Sequence, residues 1–327
     1  WNDSSQTSTR AHWSPQSASH PSVSHPGLHT CPSPSEVSSA AINADVLIPI
    51  VAPVTAKDLK GSKVKLIQQF GAGLDSVDID AASEAKIYVA NVPTLGTGNA
   101  ESVAELAIAF MISLARHLPL AITRFKEGKF GAPIGQSLWQ SSAAILGYGS
   151  IGQEINRRLQ SFGMDVTAIS KHGPDGPRER DATVPVQKHI PLNQFQEGIK
   201  NADFVIVTAP GGPDNNGLVD SNFISKMKKG SYLVNVARGS VVEYQALLAG
   251  LDSQQLAGAG LDVFWQEPFD PSDPIMNYNV IATPHIGGAT DRSLRGIGGS
   301  VAANIKLLKM GATPLNCANL DEVTGGD

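Results

Sequence analysis

Residues 143–152 carry the clearest structural signal in the chain: Ala143-Ala144-Ile145-Leu146, followed by Gly147-Tyr148-Gly149-Ser150-Ile151-Gly152. The apolar tetrapeptide predicts a buried strand, and the next six residues match the pattern G-x-G-x-x-G. One face of a helix follows, marked by Ile151, Ile155, Leu159 and Phe162. A glycine turn between strand and helix lets the backbone approach a pyrophosphate, whose charge meets the helix N-terminus. The stretch therefore predicts a dinucleotide site, with a purely structural turn as the alternative. Its residues would be Gly147, Gly149, Ser150, Ile151 and Gly152.

The alternation of buried strand and amphipathic helix continues towards the C-terminus. Further strands are predicted at residues 165–169, 204–207, 232–236, 260–264 and 279–282, with two shorter ones earlier, at 45–50 and 65–70. A helix is predicted over residues 103–114, with Asn99 as its N-cap. Continuous apolar strands separated by helices predict a doubly wound parallel sheet, covered on both faces. A last helix, over residues 294–308, would make the first domain discontinuous if it packs there.

The bulk composition is typical of a soluble globular protein. The chain has 327 residues, of which 41% are hydrophobic and 17% charged, and this length suggests two domains. A formal charge of −5 gives no basic surface for nucleic acid, and no apolar run reaches the roughly 18 residues that span a bilayer. The two cysteines, Cys31 and Cys317, form no C-x-x-C motif. We therefore expect no nucleic acid, no membrane and no metal as partners.

The N-terminal stretch differs from the rest of the chain. Residues 1–40 hold twelve Ser, five Pro and four of the eight His, with almost no periodic apolar pattern. Such a stretch buries too little apolar surface to offset its ordering entropy. We therefore predict a disordered leader over residues 1–27 and a cytoplasmic protein. Because the leader is poor in acidic residues, a chloroplast or mitochondrial transit segment is the alternative.

Three charged or titratable side chains each follow a predicted strand: Arg238, Glu267 and His285. The carboxyl ends of parallel strands meet at one edge of a sheet, where ligands bind in open α/β folds. Hydride transfer to a ketone needs a proton donor for the developing alkoxide and a cation for a substrate carboxylate. His285 is the best-placed proton donor, and jointly the three residues predict a catalytic site. Individually, each could also be a solvated loop residue.

The residues at the end of the second predicted strand bear on the choice of cofactor. An NAD-preferring site usually places Asp or Glu there, to bind the ribose 2′-hydroxyl. This chain has Ser170 instead, followed by Lys171 and His172. With no carboxylate to repel a 2′-phosphate, NADP(H) is favoured and NAD(H) is the alternative.

Six segments, in this order, carry a resemblance to a known family: GAGLDSVDID (71–80), NVP-x6-AESVAE (91–105), GYGSIG (147–152), LVNVARGS (233–240), GLDVFWQEP (260–268) and TPHIGG (283–288). They resemble the D-isomer-specific 2-hydroxyacid dehydrogenases, which include phosphoglycerate dehydrogenases and glyoxylate/hydroxypyruvate reductases. The resemblance implies hydride transfer between NAD(P)H and a small 2-oxo acid or D-2-hydroxy acid, by a homodimer. It also implies a Rossmann domain over residues 98–289 and a smaller, discontinuous, flavodoxin-like α/β substrate domain over 28–97 and 290–327.

The resemblance further implies roles for individual residues. His285 would be the acid/base, Glu267 its charged partner, and Arg238 the anchor for the substrate carboxylate and carbonyl. Ala72 and Gly73 would offer backbone N–H groups to that carboxylate, and Asn99 would lie near the cleft. Asp262 would contact the nicotinamide carboxamide. Other residues implied to contact the cofactor are Thr208, Ala209, Pro210, Val236 and Gly287.

The chain departs from the family pattern at its N-terminus and at the cofactor-selecting position. The family normally begins with a strand and helix where this chain has its Ser/Pro/His-rich stretch, which puts the completeness of the small domain in question. One alternative function is that of a formate dehydrogenase, although that enzyme has Gln at the position of Glu267. Others are a corepressor-like binding protein or an inactive paralogue.

Overall fold

Two separate parallel sheets organise the chain in the computed structural model, which describes residues 33–50, 52–171, 173–175 and 185–325. The larger sheet has seven strands and the smaller has three. Every strand pair in both sheets is parallel. The predicted parallel α/β class, with a Rossmann-type domain and a second smaller α/β unit, is confirmed. The predicted leader, residues 1–27, lies outside the described residues.

The larger sheet has the strand order β10-β9-β8-β7-β4-β5-β6. Its strands are β4 (Ser142–Leu146), β5 (Asp165–Ser170), β6 (Lys188–Pro191), β7 (Phe204–Val207), β8 (Ser231–Asn235), β9 (Leu256–Leu261) and β10 (Val280–Ala282). From β4 the chain winds outward through β5 and β6, then returns beside β4 as β7 and winds the other way. This reversal places a crevice between the carboxyl ends of β4 and β7, where doubly wound sheets bind ligands.

Helices cover both faces of the larger sheet, because its central strands β7 and β8 are buried on both sides. The helices of this unit are α4 (Asn99–Ala115), α5 (Leu118–Lys126), α6 (Ser150–Ser161), α7 (Phe195–Ile199), α8 (Ser221–Lys226) and α9 (Tyr244–Asp252). On one face α4 and α6 bury Met111, Leu114 and Leu159 against the sheet. On the other face α8 and α9 bury Phe223 and Leu247. Two apolar layers therefore hold the sheet between them.

Helix α5 differs from α4 in that none of its residues is buried. No single helix of the described residues is long and apolar enough to cross a membrane. The bent pair α4–α5, with 58° between its helices, passes that test by length and composition only.

The smaller sheet has the order β1-β2-β3 within the described residues. Its elements are α1 (Val37–Ala41), β1 (Val46–Leu47), α2 (Ala56–Leu59), β2 (Leu66–Gln68), α3 (Ile79–Glu84) and β3 (Tyr88–Ala90). Helix α10 (Asp291–Lys309) returns to this sheet, where Ile297 and Val301 pack with Val92. Buried Asn304 of the same helix donates to Gln68 of β2 over 2.7 Å. Early and late parts of the sequence therefore share one small core.

The C-terminal residues complete the edge of the smaller sheet. The backbone N–H of Ala318 donates to the carbonyl of Val89 in β3 over 2.7 Å. Buried Asn319 accepts from the Val89 N–H at 2.8 Å and donates to the carbonyl of Ile87 at 2.9 Å. A final helix, α11 (Leu320–Thr324), follows.

The chain passes between the two sheets twice, and the two passages lie side by side. It enters α4 at Gly98, whose φ is +79°, and leaves the larger unit at Thr290, the N-cap of α10. The Ser102 hydroxyl lies 2.7 Å from the Thr290 hydroxyl and donates to the Gly98 carbonyl over 2.6 Å. These contacts join the two connections directly.

Four details of the sequence-based prediction were wrong. Strand β9 ends at Leu261 rather than spanning 260–264, because residues 258–261 pair with β8 and the chain leaves the sheet at Asp262. Strand β1 is Val46–Leu47 rather than 45–50, because only these two residues pair with β2. Strands β3 and β6 were missed, and Gly98, not Asn99, is the N-cap of α4. Residues 37–41, which follow the predicted leader, form α1 and bury Val37 and Ala41.

Candidate active site

The three predicted catalytic residues follow three neighbouring strands. Arg238 comes after β8, Glu267 after β9 and His285 after β10, and these strands are adjacent in the order β10-β9-β8. Because the strands are parallel, the loops that follow them leave the same edge of the sheet. The fold therefore brings the three residues together, although they are spread over almost fifty positions.

The imidazole of His285 is held by the carboxylate of Glu267. Nδ1 of His285 lies 2.8 Å from Oε2 of Glu267, and the other carboxylate oxygen accepts from the backbone N–H of Phe264 at 3.0 Å. The His285 side chain is 41% exposed, so the ring is open to a ligand. Within the described residues its Nε2 has no hydrogen-bond partner. The pair therefore presents one ring nitrogen for proton transfer while the other is fixed.

Arg238 is fixed at both its backbone and its side chain. The amide of buried Asn235 donates to the Arg238 carbonyl at 2.9 Å and accepts from the Ala237 N–H at 3.1 Å, which shapes the turn after β8. In the side chain, Nε donates to Oδ2 of Asp75 at 3.0 Å, and Nη1 to the Ala237 carbonyl at 2.7 Å. Asp75 belongs to the loop after β2, so this ion pair joins the two units. The contact of Asp75 with Arg238 was not predicted from the sequence.

The glycine turn between β4 and α6 has the form of an anion cradle. Gly147 has a φ of +94°, and a Cβ there would lie 2.7 Å from the Cα of Ala209. Thr208 donates its hydroxyl to the Gly147 carbonyl over 2.7 Å, so the segment after β7 packs onto the turn. No side chain caps α6, whose N-cap is Gly149, and space lies open where a Cβ of Gly149 would be. Backbone N–H groups at this helix N-terminus are thus available to a pyrophosphate.

Comparison with known proteins agrees with this geometry. The family model "D-isomer specific 2-hydroxyacid dehydrogenase, NAD binding domain" matches residues 108–287. This chain belongs to the D-isomer specific 2-hydroxyacid dehydrogenase family. Such a protein binds a nicotinamide cofactor, and the turn, the open helix N-terminus and the packed Thr208 segment fit that group.

Several relatives and solved structures are similar over most of the chain. The hydroxypyruvate reductase of Thermotoga maritima is 35% identical over 263 residues, which are 78% of this chain and 81% of the relative. The D-3-phosphoglycerate dehydrogenase of Methanocaldococcus jannaschii is 32% identical over 86% of this chain. This chain spans about half the length of that relative, 53%. The solved pyruvate reductase of Chlamydomonas reinhardtii is 30% identical, with a TM-score of 0.72, covering 87% of this chain and 88% of that one.

Asp262, for which the family resemblance implies a contact with the nicotinamide, also organises the loop of His285. Its buried carboxylate accepts from the backbone N–H of Ile286 at 2.8 Å and of Gly287 at 2.7 Å, and from the Thr283 hydroxyl at 2.5 Å. These bonds hold a turn in which His285 has a φ of +54°, in the left-handed region that costs energy for a non-glycine residue. This second role was not predicted from the sequence, and the nicotinamide contact stays a prediction.

The residues implied to bind the substrate lie in two places, the loop after β2 and the start of α4. Gly73 lies against the guanidinium of Arg238, so the loop of Ala72 and Gly73 faces the predicted carboxylate anchor. Asn99, the first residue of α4, donates to the Ser293 hydroxyl over 3.2 Å and packs beside Gly288. Asn99 therefore contacts the start of α10 and the loop that follows His285.

The position that selects the cofactor lies at the end of β5. The hydroxyl of Ser170 is 2.8 Å from Nε2 of His189, in neighbouring β6. Lys171 forms an exposed ion pair of 3.4 Å with Asp214, and His172 lies outside the described residues. Of the other implied residues, Val236 is buried directly after β8, and Pro210 accepts from Asn215.

Proposed function

We propose that this chain catalyses the reversible reduction of a small 2-oxo acid to its D-2-hydroxy acid with a nicotinamide cofactor. The observation that carries the proposal is the 2.8 Å contact between His285 and Glu267, at the strand ends that also place Arg238. A carboxylate-held imidazole beside a guanidinium supplies a proton donor and an anion anchor. These are the two functions that reduction of a 2-oxo acid needs from the protein.

Arg238 binds the substrate carboxylate in this proposal. The guanidinium has five N–H donors in a planar fork, which matches the two oxygens of a carboxylate. Gly73 lies against the same guanidinium, and its backbone N–H and that of Ala72 would add donors to the carboxylate. The 2-oxo acid would thereby be oriented with its carbonyl group towards His285.

His285 then transfers a proton at the reacting carbonyl. The reduced nicotinamide cofactor, when bound, would supply the hydride for the carbonyl carbon. Nε2 of the imidazolium donates its proton to the carbonyl oxygen as the C–H bond forms, which gives the neutral alcohol and a neutral imidazole. In the oxidation direction the neutral ring accepts that proton from the alcohol. Glu267 accepts a hydrogen bond from Nδ1 and thereby fixes the orientation of the ring.

The cofactor is held by the cradle and by the ends of the neighbouring strands. The N–H groups of Gly149, Ser150 and Ile151 would bind the pyrophosphate. Ser170 and Lys171 would lie near the adenosine ribose. Because neither carries negative charge, we propose a preference for NADP(H) over NAD(H).

A substrate panel tests this function. Glyoxylate, hydroxypyruvate, pyruvate, 3-phosphohydroxypyruvate and bulkier 2-oxo acids are assayed with NADPH and with NADH, following the absorbance of the reduced nicotinamide. We expect turnover of at least one of them. Cofactor binding without any turnover would favour the binding-protein alternative. Oxidation of formate with no reduction of 2-oxo acids would favour the formate dehydrogenase alternative.

We also propose that the chain forms a homodimer through the segment that contains α5. Apolar side chains are unusually exposed there: Phe125 is 79% exposed, Trp139 67%, Ile134 90% and Phe130 fully exposed. A cluster of large exposed apolar side chains marks an association surface. Sedimentation velocity would show a dimer for the parent chain and a monomer for Phe130→Glu/Ile134→Glu. A monomeric parent at micromolar concentration would contradict this proposal.

A further inference from the structure

The ion pair between Asp75 and Arg238 joins elements that lie far apart in the sequence. Asp75 lies between β2 and α3, in the smaller unit, and Arg238 follows β8 of the larger sheet. Oδ2 of Asp75 accepts from Nε of Arg238 at 3.0 Å. In the part of the chain that the structure describes, Asp75 has no other hydrogen-bond partner. Its carboxylate therefore serves Arg238 rather than its own loop.

Two glycines enclose the pair. A Cβ at Gly211, in the loop after β7, would lie 2.8 Å from Cγ of Arg238 and 2.9 Å from Oδ1 of Asp75. A Cβ at Gly73 would lie 2.9 Å from Oδ2 of Asp75 and would overlap Nη2 of Arg238. Three loops, after β2, β7 and β8, thus meet around one guanidinium. Side chains at either glycine would displace it.

The contacts of the guanidinium decide which of its edges is free. Asp75 takes the Nε donor, and the Ala237 carbonyl takes one donor of Nη1. Of the five N–H donors, three are left, on Nη1 and Nη2. Both of these nitrogens can therefore donate hydrogen bonds to a second carboxylate, while the ion pair with Asp75 fixes the plane of the guanidinium.

We propose that Asp75 is a positioning residue, which holds the guanidinium of Arg238 in the orientation that binds the substrate carboxylate. The proposal rests on the proposed function. An ion pair with side chains 37% and 48% exposed contributes little to the free energy of unfolding. Its effect is on orientation instead, because a small displacement of a substrate-binding group can cost up to about 100-fold in rate.

Asp75→Asn and Asp75→Ala test this role. For a 2-oxo acid that the parent reduces, we expect kcat/KM to fall about 10- to 100-fold, mostly through KM. The Kd of NADPH, measured by fluorescence titration, and the Tm should match those of the parent. Asp75→Glu keeps the carboxylate, so its kcat/KM should lie between that of Asp75→Ala and that of the parent. In an Arg238→Lys background, Asp75→Asn should change kcat/KM by less than about twofold, because the group that it orients is gone.

Asp78 provides a matched control in the same loop. Its carboxylate caps α3, accepting from the Ala81 N–H at 3.0 Å, and Asn is an equally good N-cap. Asp78→Asn should therefore keep the kinetic constants of the parent. Parental KM in Asp75→Ala would overturn the positioning role, as would equal losses from Asp75→Asn in the parent and in the Arg238→Lys variant. A parent chain that reduces no 2-oxo acid would instead refute the proposed function.

Discussion

Oε2 of Glu267 lies 2.8 Å from Nδ1 of His285, while its Oε1 is held by the backbone N–H of Phe264. A backbone N–H of its own loop thus fixes the carboxylate that binds the imidazole. Glu267→Gln keeps the shape of the side chain, but its amide oxygen would stay with the Phe264 N–H and its NH2 group would face Nδ1 of His285. The proton-donating imidazolium carries an N–H at Nδ1 and cannot accept from that NH2 group. We therefore expect the rate of reduction to fall about 10- to 100-fold.

Steady-state rates of reduction at one fixed pH, for the parent and Glu267→Gln, measure this loss. His285→Ala sets the scale, and should lose about 10²–10⁴-fold in rate while the cofactor still binds. A parental rate in Glu267→Gln would mean that Glu267 does not act through His285.

Ser170→Asp should reverse the proposed cofactor preference. The new carboxylate would repel a 2′-phosphate and could bind a ribose 2′-hydroxyl. We expect the ratio of kcat/KM for NADPH to that for NADH to fall at least about tenfold, or about 1.4 kcal/mol. Ser170→Ala, which removes the contact to His189 without adding charge, is the matched control. A parent enzyme that clearly prefers NADH would refute the premise.

Arg238→Lys should lower kcat/KM for the 2-oxo acid by about 100-fold, because the ammonium group cannot replace a planar fork with several donors. The Kd of NADPH should stay close to that of the parent. Steady-state kinetics and fluorescence titration separate the two effects. If cofactor affinity fell as much as turnover, Arg238 would belong to the cofactor site.

Asp203→Asn should destabilise the larger unit at neutral pH. Burial tends to raise the pKa of Asp203, but hydrogen bonds from Lys228 and Ser142 outweigh it, so the pKa lies below its ordinary value of 3.8. The stabilisation is present above pH 3.8 and is lost as pH falls through the folded-state pKa. We expect a cost of about 1–2 kcal/mol at pH about 7. The free energy of unfolding, measured by urea denaturation, should differ between the parent and Asp203→Asn by less in acid than at neutral pH. Exposed Asp165→Asn should differ little from the parent at either pH.

The repeated strand-turn-helix pattern made most of the larger sheet predictable from the sequence. An apolar run of four residues, such as the one before Gly147, predicts a buried strand without any knowledge of which strands lie beside it. Local sequence was therefore enough to predict these strands. Strand β6 contains Lys188, His189 and Pro191, and exists because it pairs with β5. Its formation depends on tertiary pairing, which local propensity does not report.

The meeting of Arg238, Glu267 and His285 was predictable because each lies in a loop that follows a strand of the same parallel sheet. Asp75 was not, although its segment was noted, because its partner lies 163 positions away and only the meeting of three loops reveals the pair. The second role of Asp262 was missed for a similar reason. A carboxylate next to a strand does not indicate which backbone N–H groups it will accept from.

The hydrogen-bonded passages at Gly98 and Thr290 limit how the cleft can open. Because the two covalent connections lie side by side, they form one pivot. We expect the smaller unit to rotate about this pivot rather than slide along the larger sheet, since sliding would break the Ser102–Thr290 contact. Loops far from the pivot would then move farther than loops near it.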